Sequence, residues 1–289
     1  FLVLKRGREF NVFYTVGGIS VSLPVLIAAK LMKKRVVVRI MGDYAWEQTI
    51  GRGWIEDNME DFQDKNYSLP IQLLKKIRSW VAVSADLIIV SSFYLKKIIM
   101  GWGVRESSIV VIRNACDKQN ALSIRRDPYL LFSAGRLVSW KGFDRLILAF
   151  NKIKTSFPQA RLVIAGDGPE RSELEALKNQ SPVKDSILLT GSIPHLEMKD
   201  FYQSCACFIL FSECDGIAHV LLEAMTFNTP VIVSNKGGNV ELVEHGINGL
   251  LVSGGTDTDL KNMICLFLEK KEMVVPKPGF INANDFSWK

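Results

Sequence analysis

Metal-binding and redox cysteine spacings are missing from this chain. Its five cysteines, Cys116, Cys205, Cys207, Cys214 and Cys265, are odd in number, and Cys205 and Cys207 alternate along an apparent strand instead of forming a C-x-x-C pair. That pattern points to reduced, buried thiols in a cytosolic protein. Histidine is scarce: His195, His219 and His245 are scattered, so no His/Cys cluster marks a metal and none is expected. No G-x-G-x-x-G follows a strand, which disfavours a NAD-dependent dehydrogenase. Internal repeats and low-complexity tracts are absent too. The amino terminus, "FLVLKRGREF", carries neither an initiator methionine nor a charged-then-apolar leader, so the start is expected to be missing and targeting is not readable from that end.

A good membrane span is also lacking. Phe10 to Ala29 has twenty residues without a charge, long enough to cross a bilayer. It is broken by Asn11, Thr15, Gly17, Gly18, Ser20, Ser22 and Pro24, and reads better as strand, glycine turn and helix.

What is present is an ordinary globular composition, 48% hydrophobic and 23% charged over 289 residues, which suits two domains. The net charge of +6 is uneven: residues 1–125 hold 19 Lys/Arg against 11 Asp/Glu. A scattered surplus of this kind is most often a solvated surface, and no nucleic-acid partner is expected. The densest patch, "LLKKIRSW" (73–80), fits peripheral contact with the inner face of a membrane, but an amphipathic helix packed on its own domain is the favoured reading.

Short β-rich runs alternate with helical patterns throughout. Strands are predicted at 11–14, 36–40, 87–90, 109–112, 129–134, 161–165, 187–190, 207–210, 231–234 and 249–252. Helices are predicted near 21–32, 69–84, 93–100, 142–155, 170–179, 196–203, 218–227, 240–244 and 257–269. Strand followed by helix, repeated, means an α/β protein with doubly wound parallel sheets covered on both faces. The polar stretch "NACDKQNALSIRRDP" (114–128) separates two such series. The domains are therefore placed at 1–125 and 126–275.

In such sheets ligands sit beyond the carboxyl ends of strands. After 129–134 comes "GRLVSWKGFDRL", where Gly135 makes a turn and Arg136 and Lys141 precede a helix. A planar fork, a point charge and a helix start together suit a diphosphate. "GDGPER" follows the next strand with Gly166 and Gly168, and "GSIPHLEM" the one after with Gly191. The densest signal is "SECDGIAHVLLEAM" (212–225), with three acids, Glu213, Asp215 and Glu223. "NKGGNVEL" then supplies another glycine turn through Gly238.

"SAGRLVSWKGFDRL", "VIAGDGPER", "GSIPHLEMKDFYQSC", "DGIAHVLLEAM" and "GGNVELVEHGINGLLV", in this order, resemble the carboxyl-terminal domain of retaining glycosyltransferases of family 4, which have the GT-B fold. The likeness is strong over 129–253 and looser over 10–114. It implies two Rossmann-like domains facing a cleft, the first binding an acceptor and the second a nucleoside diphosphate sugar. In that family two acids separated by seven residues bracket the donor. Aligning on "VLLEAM" puts Asp215 at the first acid, near the transferred sugar, and Glu223 at the second, on the ribose. Gly216, Ile217, Ala218 and His219 line the donor between them, and Glu213 is left as a solvated loop acid. Arg136 and Lys141 then neutralise the leaving diphosphate, a task that requires neither metal nor cofactor. The acceptor would be a glycan, a lipid-linked sugar or a small molecule.

Two features depart from the family pattern. Met41 stands where many members carry a histidine, leaving Gly42, Asp43 and Trp46 to shape the acceptor side, although Asp43 is equally readable as a loop cap. The family's first strand and glycine-rich acceptor loop are absent, so the first domain is expected to be incomplete, with 276–289 beginning the segment that returns to it. The competing functions are a non-catalytic nucleotide-sugar-binding module and a sugar-nucleotide epimerase of the same architecture.

Overall fold

The computed structural model describes residues 7–116 and 125–270. The chain divides into two compact units, one ending at Arg113 and the other beginning at Asn114. The predicted returning segment, 276–289, lies outside the described residues.

The first unit is a four-stranded parallel sheet in the order β1 (Val12–Val16), β2 (Arg35–Ile40), β3 (Leu87–Val90), β4 (Ile109–Val111). Helix α1 (Ile19–Leu31) follows β1 through the Gly17–Gly18 turn. The uncharged run 10–29 is thus strand, turn and helix, and among the described residues no helix is long and apolar enough to cross a membrane. Helices α2 (Tyr44–Ile50) and α3 (Met59–Asp64) lie in a stretch for which the sequence predicted no helix. Both carry side-chain caps: Asp43 accepts from the amides of Ala45 and Trp46, and Asn58 from that of Asp61. Those caps are the signals that would have revealed them. Helices α4 (Leu69–Ser84) and α5 (Phe93–Met100) match their predicted ranges.

Helix α4 contains the basic patch, and packing engages two of its three cations. Lys75 Nζ donates to the carbonyls of Phe62, Gln63 and Lys65, at 2.7, 3.1 and 2.9 Å. Arg78 is buried, ion-paired with Asp43, with its guanidinium 4.1 Å from the centre of the Trp102 ring. Of the three cations only Lys76 is exposed; the helix packs on its own unit through Ile71, Arg78, Val81 and Ala82, while Leu73 and Trp80 of the same stretch stay exposed.

The second unit holds β5 (Leu130–Ala134), α6 (Phe143–Ser156), β6 (Arg161–Ala165), α7 (Arg171–Gln180), β7 (Ile187–Gly191), α8 (His195–Ser204), β8 (Cys207–Leu210), α9 (His219–Thr226), β9 (Val231–Ser234), β10 (Leu250–Val252) and α10 (Asp257–Glu269). Its six strands are parallel, in the order β10-β9-β8-β5-β6-β7. Alternate residues feed opposite layers, as the period of two requires. Leu131, Leu162, Ile164, Cys207 and Ile209 pack with Leu146, Phe150 and Ile264 of α6 and α10. Phe132, Val163, Phe208, Val231 and Val233 pack with Tyr202, Leu221 and Leu222 of α8 and α9. Each fully buried side chain of this size contributes about 1.5–3 kcal/mol. The helix predicted at 240–244 is instead a 3-10 turn at Gly237–Glu241. Two glycines head it, and they favour tight turns over helix interiors.

The chain winds from β5 out through β6 to β7, then returns to place β8 on the other side of β5. The carboxyl ends of β5 and β8 therefore flank the switch point, where an open α/β sheet leaves a crevice.

Candidate functional site

The loops leaving β5 and β8 meet over that switch point. The Glu213 amide donates to the Trp140 carbonyl at 2.7 Å. Gly142 adopts φ 67°, and a Cβ there would lie 2.4 Å from the Phe211 carbonyl oxygen. Only a residue without a side chain lets the two loops close in this way. The consequence is that Lys141 reaches Asp215, Nζ to Oδ1 at 2.6 Å. Ser212 Oγ donates to the other oxygen at 2.6 Å, and the Asn239 amide nitrogen stands 3.5 Å from it.

The Asp215 backbone is fixed as well. Its carbonyl accepts from the Gly238 amide at 2.7 Å. Asn239 Oδ1 accepts from the Ala218 amide at 3.0 Å, and Asn114 Nδ2 donates to the Ile217 carbonyl at 2.7 Å. Gly216, Ile217 and Ala218 are buried by these contacts, so they present backbone rather than side chains.

The loops after β5, β6 and β7 are joined edge to edge. The Gly135 amide donates to Ala165, and that of Gly166 to Gly191, at 3.0 and 2.9 Å. Gly166 takes φ 142°, and a Cβ there would sit 1.9 Å from the Gly135 oxygen, a contact no side chain survives. Gly191 is buried at the end of β7. Arg136 is exposed, and its guanidinium makes no hydrogen bond or ion pair among the described residues. The structure thus gathers Gly135, Gly166 and Gly191 at one edge and pairs Lys141 with Asp215, while Arg136 is left facing solvent.

Glu213 is not the solvated acid read from the sequence. It is half-buried, and its two oxygens take Arg145 and Lys236. Arg145 also donates to the Gly255 carbonyl at 3.1 Å, so Glu213 ties its loop to α6 and to the turn before α10. Burial raises the Glu213 carboxyl, but the hydrogen bonds from Lys236 and Arg145 outweigh it and hold the group below its ordinary value.

Glu223 sits on α9 beside a pocket of about 270 Å³ lined by Cys116, His195, Lys199, Tyr202 and His219 among others. Tyr202 Oη donates to Oε2 at 2.9 Å, and His195 Nε2 lies 3.1 Å from Oε1. Sequence reasoning passed over Tyr202, Ser212 and Asn239, and counted His195 only as one of three scattered histidines. Tyr202 and Asn239 act through contacts between distant elements, which carry no local pattern, whereas Ser212 meets Asp215 within one loop at a spacing of three. His219 lines the same pocket from an exposed position, whereas His245 accepts the Leu251 amide at 3.0 Å.

On the first unit, Gly42 lies close beneath Glu47, and Met41 is partly exposed. Of the two readings of Asp43, acceptor side or loop cap, the cap is the one seen: the residue is fully buried. It caps α2, pairs with Arg78 and accepts from Gln63 Nε2 at 3.0 Å. Trp46 is interior and donates to the Asp57 carbonyl at 2.9 Å. Both are parts of the scaffold. Asp257-Thr258-Asp259 has the spacing of a D-x-D metal motif but starts α10: Thr256 and Asp259 form a capping box and Asp257 pairs with Lys152 at 2.7 Å. Among the described residues no three His, Cys, Asp or Glu converge to hold a metal ion.

The family described as "Glycosyl transferases group 1" matches residues 116–275. The chain belongs to that family. An uncharacterized glycosyltransferase of Methanocaldococcus jannaschii is 34% identical over 134 residues, 46% of this chain and 34% of that protein. A "GDP-mannose-dependent alpha-(1-6)-phosphatidylinositol monomannoside mannosyltransferase" of Mycobacterium tuberculosis is 35% identical over 126 residues, 41% of this chain and 33% of that one. The chain thus spans well under two thirds of these relatives. Among solved structures, Anabaena HepE in complex with UDP-glucose gives a TM-score of 0.80 at 20% identity, covering 99% of this chain and 77% of that one. Sucrose-phosphate synthase of Thermosynechococcus elongatus gives 0.78 at 18%, covering 97% and 70%. Two parallel-sheet α/β units of this kind are the GT-B fold.

Proposed function

We propose that this group 1 glycosyl transferase moves a sugar, with retention of configuration as the likeness to family 4 implies, from a nucleoside diphosphate sugar to a glycan, lipid-linked or small-molecule acceptor. The observation that carries the reading is the convergence of Lys141 and Asp215 at the switch point of the second sheet. A cation already fixed beside the place where a diphosphate would leave needs no reorganisation as charge builds on the departing oxygen. Arg136, exposed at the mouth of the same loop, would close on the diphosphate as a fork. Asp215 would face the transferred sugar, and Glu223 the ribose. The relatives' names include both GDP-mannose and UDP-glucose, which supports a nucleoside diphosphate sugar of either base.

These side chains, rather than a metal, would carry the leaving-group charge, and the enzyme would act in the cytoplasm with peripheral membrane contact. Co-sedimentation with anionic vesicles checks the membrane part. A binding module with the same clamp is separated from an enzyme by transfer of label from the nucleotide sugar. The direct test is a thermal-shift panel of UDP, GDP, ADP and dTDP sugars, because a ligand of the folded state raises its stability by mass action. A shift with one of the four supports the reading; none with any of them refutes it.

A further inference from the structure

We propose that Tyr202 is a positioning residue that holds the Glu223 carboxylate in the orientation in which it receives a ribose, and that His195 is the partner the ribose displaces. The inference rests on the proposed function.

The two contacts to Glu223 differ in kind. Tyr202 is 1% exposed, and its ring is enclosed by those of Phe132, Phe208 and Phe227, with centroids 5.5 to 5.8 Å away. Its backbone is held no less firmly. The Tyr202 carbonyl accepts from Arg126 Nη1 at 2.7 Å and from Thr229 Oγ1 at 2.6 Å. The other nitrogen of Arg126 donates to Phe227 and Asn228, at 3.0 and 3.2 Å, just past the end of α9. One guanidinium therefore ties the carboxyl ends of α8 and α9 together, a position where cations are favoured. Those helices carry Tyr202 and Glu223, so the distance between phenol and carboxylate is set by the scaffold. Burial, with the neighbouring Glu223 carboxylate, pushes the Tyr202 hydroxyl well above its ordinary value, which keeps it a donor.

His195 reaches the other oxygen from the first residue of α8, and its side chain is 74% exposed. Nothing comparable confines it. One carboxylate oxygen is thus bound by a group that cannot leave and the other by a group that can, next to an open pocket. An incoming vicinal diol meets a carboxylate whose rotation is already arrested, and the ordering cost falls on the protein before binding.

Calorimetry on the 289-residue chain, with UDP and GDP against their 2′,3′-dideoxy forms, tests this. The wild type should prefer the ribose form. Tyr202→Phe should weaken ribose binding roughly 5- to 20-fold, leave the dideoxy form within about twofold, and keep the melting temperature near that of the wild type. Glu223→Gln should erase the same preference, and the double variant should lose no more than Glu223→Gln alone, since the two residues act as one unit. His195→Ala should bind the ribose form at least as well as the wild type. Equal losses on both nucleotide forms, additive losses in the double variant, or weaker ribose binding by His195→Ala would each overturn the proposal. A wild-type chain that binds nucleotide without preferring the ribose form would overturn it while leaving the proposed function standing; one that binds no nucleotide refutes both.

Discussion

Lys141 Nζ and Asp215 Oδ1 stand 2.6 Å apart, one supplied by the loop after β5 and the other by the loop after β8, across the point where the strand order turns back. These two residues of the proposed site thus neutralise each other, and a diphosphate would compete with Asp215 for the ammonium.

That competition makes the Asp215 and Lys141 variants opposite in binding and alike in turnover. Asp215→Asn should bind free nucleoside diphosphate as tightly as the wild type or more tightly, because the cation is released. Lys141→Ala should bind it less well. Both should lower sugar transfer, Lys141→Ala by roughly 100- to 1000-fold. Calorimetry with an initial-rate assay checks the pair; a loss of diphosphate affinity in Asp215→Asn would count against the assignment.

Glu213→Gln should destabilise the second unit by roughly 1–2 kcal/mol near neutral pH, between the surface and buried limits for ion pairs, since Arg145 and Lys236 lose their shared partner. The carboxyl lies below its ordinary value of 4.5 in the folded protein. Its contribution is therefore complete above that value and is lost as the pH falls through the lower, folded one. Denaturant midpoints of wild type and variant should converge as the pH is brought down below 4.5. A gap that stays constant into acid would show that the ion pairs are not its source.

Gly166→Ala should cost at least about 2 kcal/mol, from a backbone angle that side chains resist and a Cβ aimed at the Gly135 oxygen. Urea unfolding measures it. Gly246→Ala makes the control, because it too has positive φ, 77°, but nothing lies within 4 Å of its Cβ; equal costs at the two sites would mean that the close approach of the β5 and β6 loops adds nothing.

The cysteines should separate by reactivity. Burial pushes Cys205 up to about 12 and Cys207 well above its usual value, so neither offers a thiolate in the native state. Cys116 is half-buried and lines the pocket beside Glu223. A thiol reagent should label Cys116 first, and a bound nucleotide should slow that labelling. Native-state labelling of Cys205 or Cys207 ahead of Cys116 would contradict the packing of β8.

By itself the sequence determined the strands and the α/β class, though not α2, α3 or the 3-10 turn at Gly237–Glu241. The ten strands among the described residues all overlap the apolar runs that predict them; β8 and β9, buried along their whole length, leave a continuous apolar signature, whereas β1 exposes Val12, Tyr14 and Val16. Glycines and charged residues just beyond strand ends likewise marked the loops that form the site. The tertiary structure decided which groups meet. Glu213 and Asp215 are two residues apart and chemically alike, yet one is spent on Arg145 and Lys236 and the other on Lys141. Asp43 lies beyond a strand end as Asp215 does, yet it turns inward to Arg78. Tyr202 and Glu223 come from different helices. Such pairings depend on strand order and on how closely loops approach at Gly142 and Gly166, distances that local spacing does not encode.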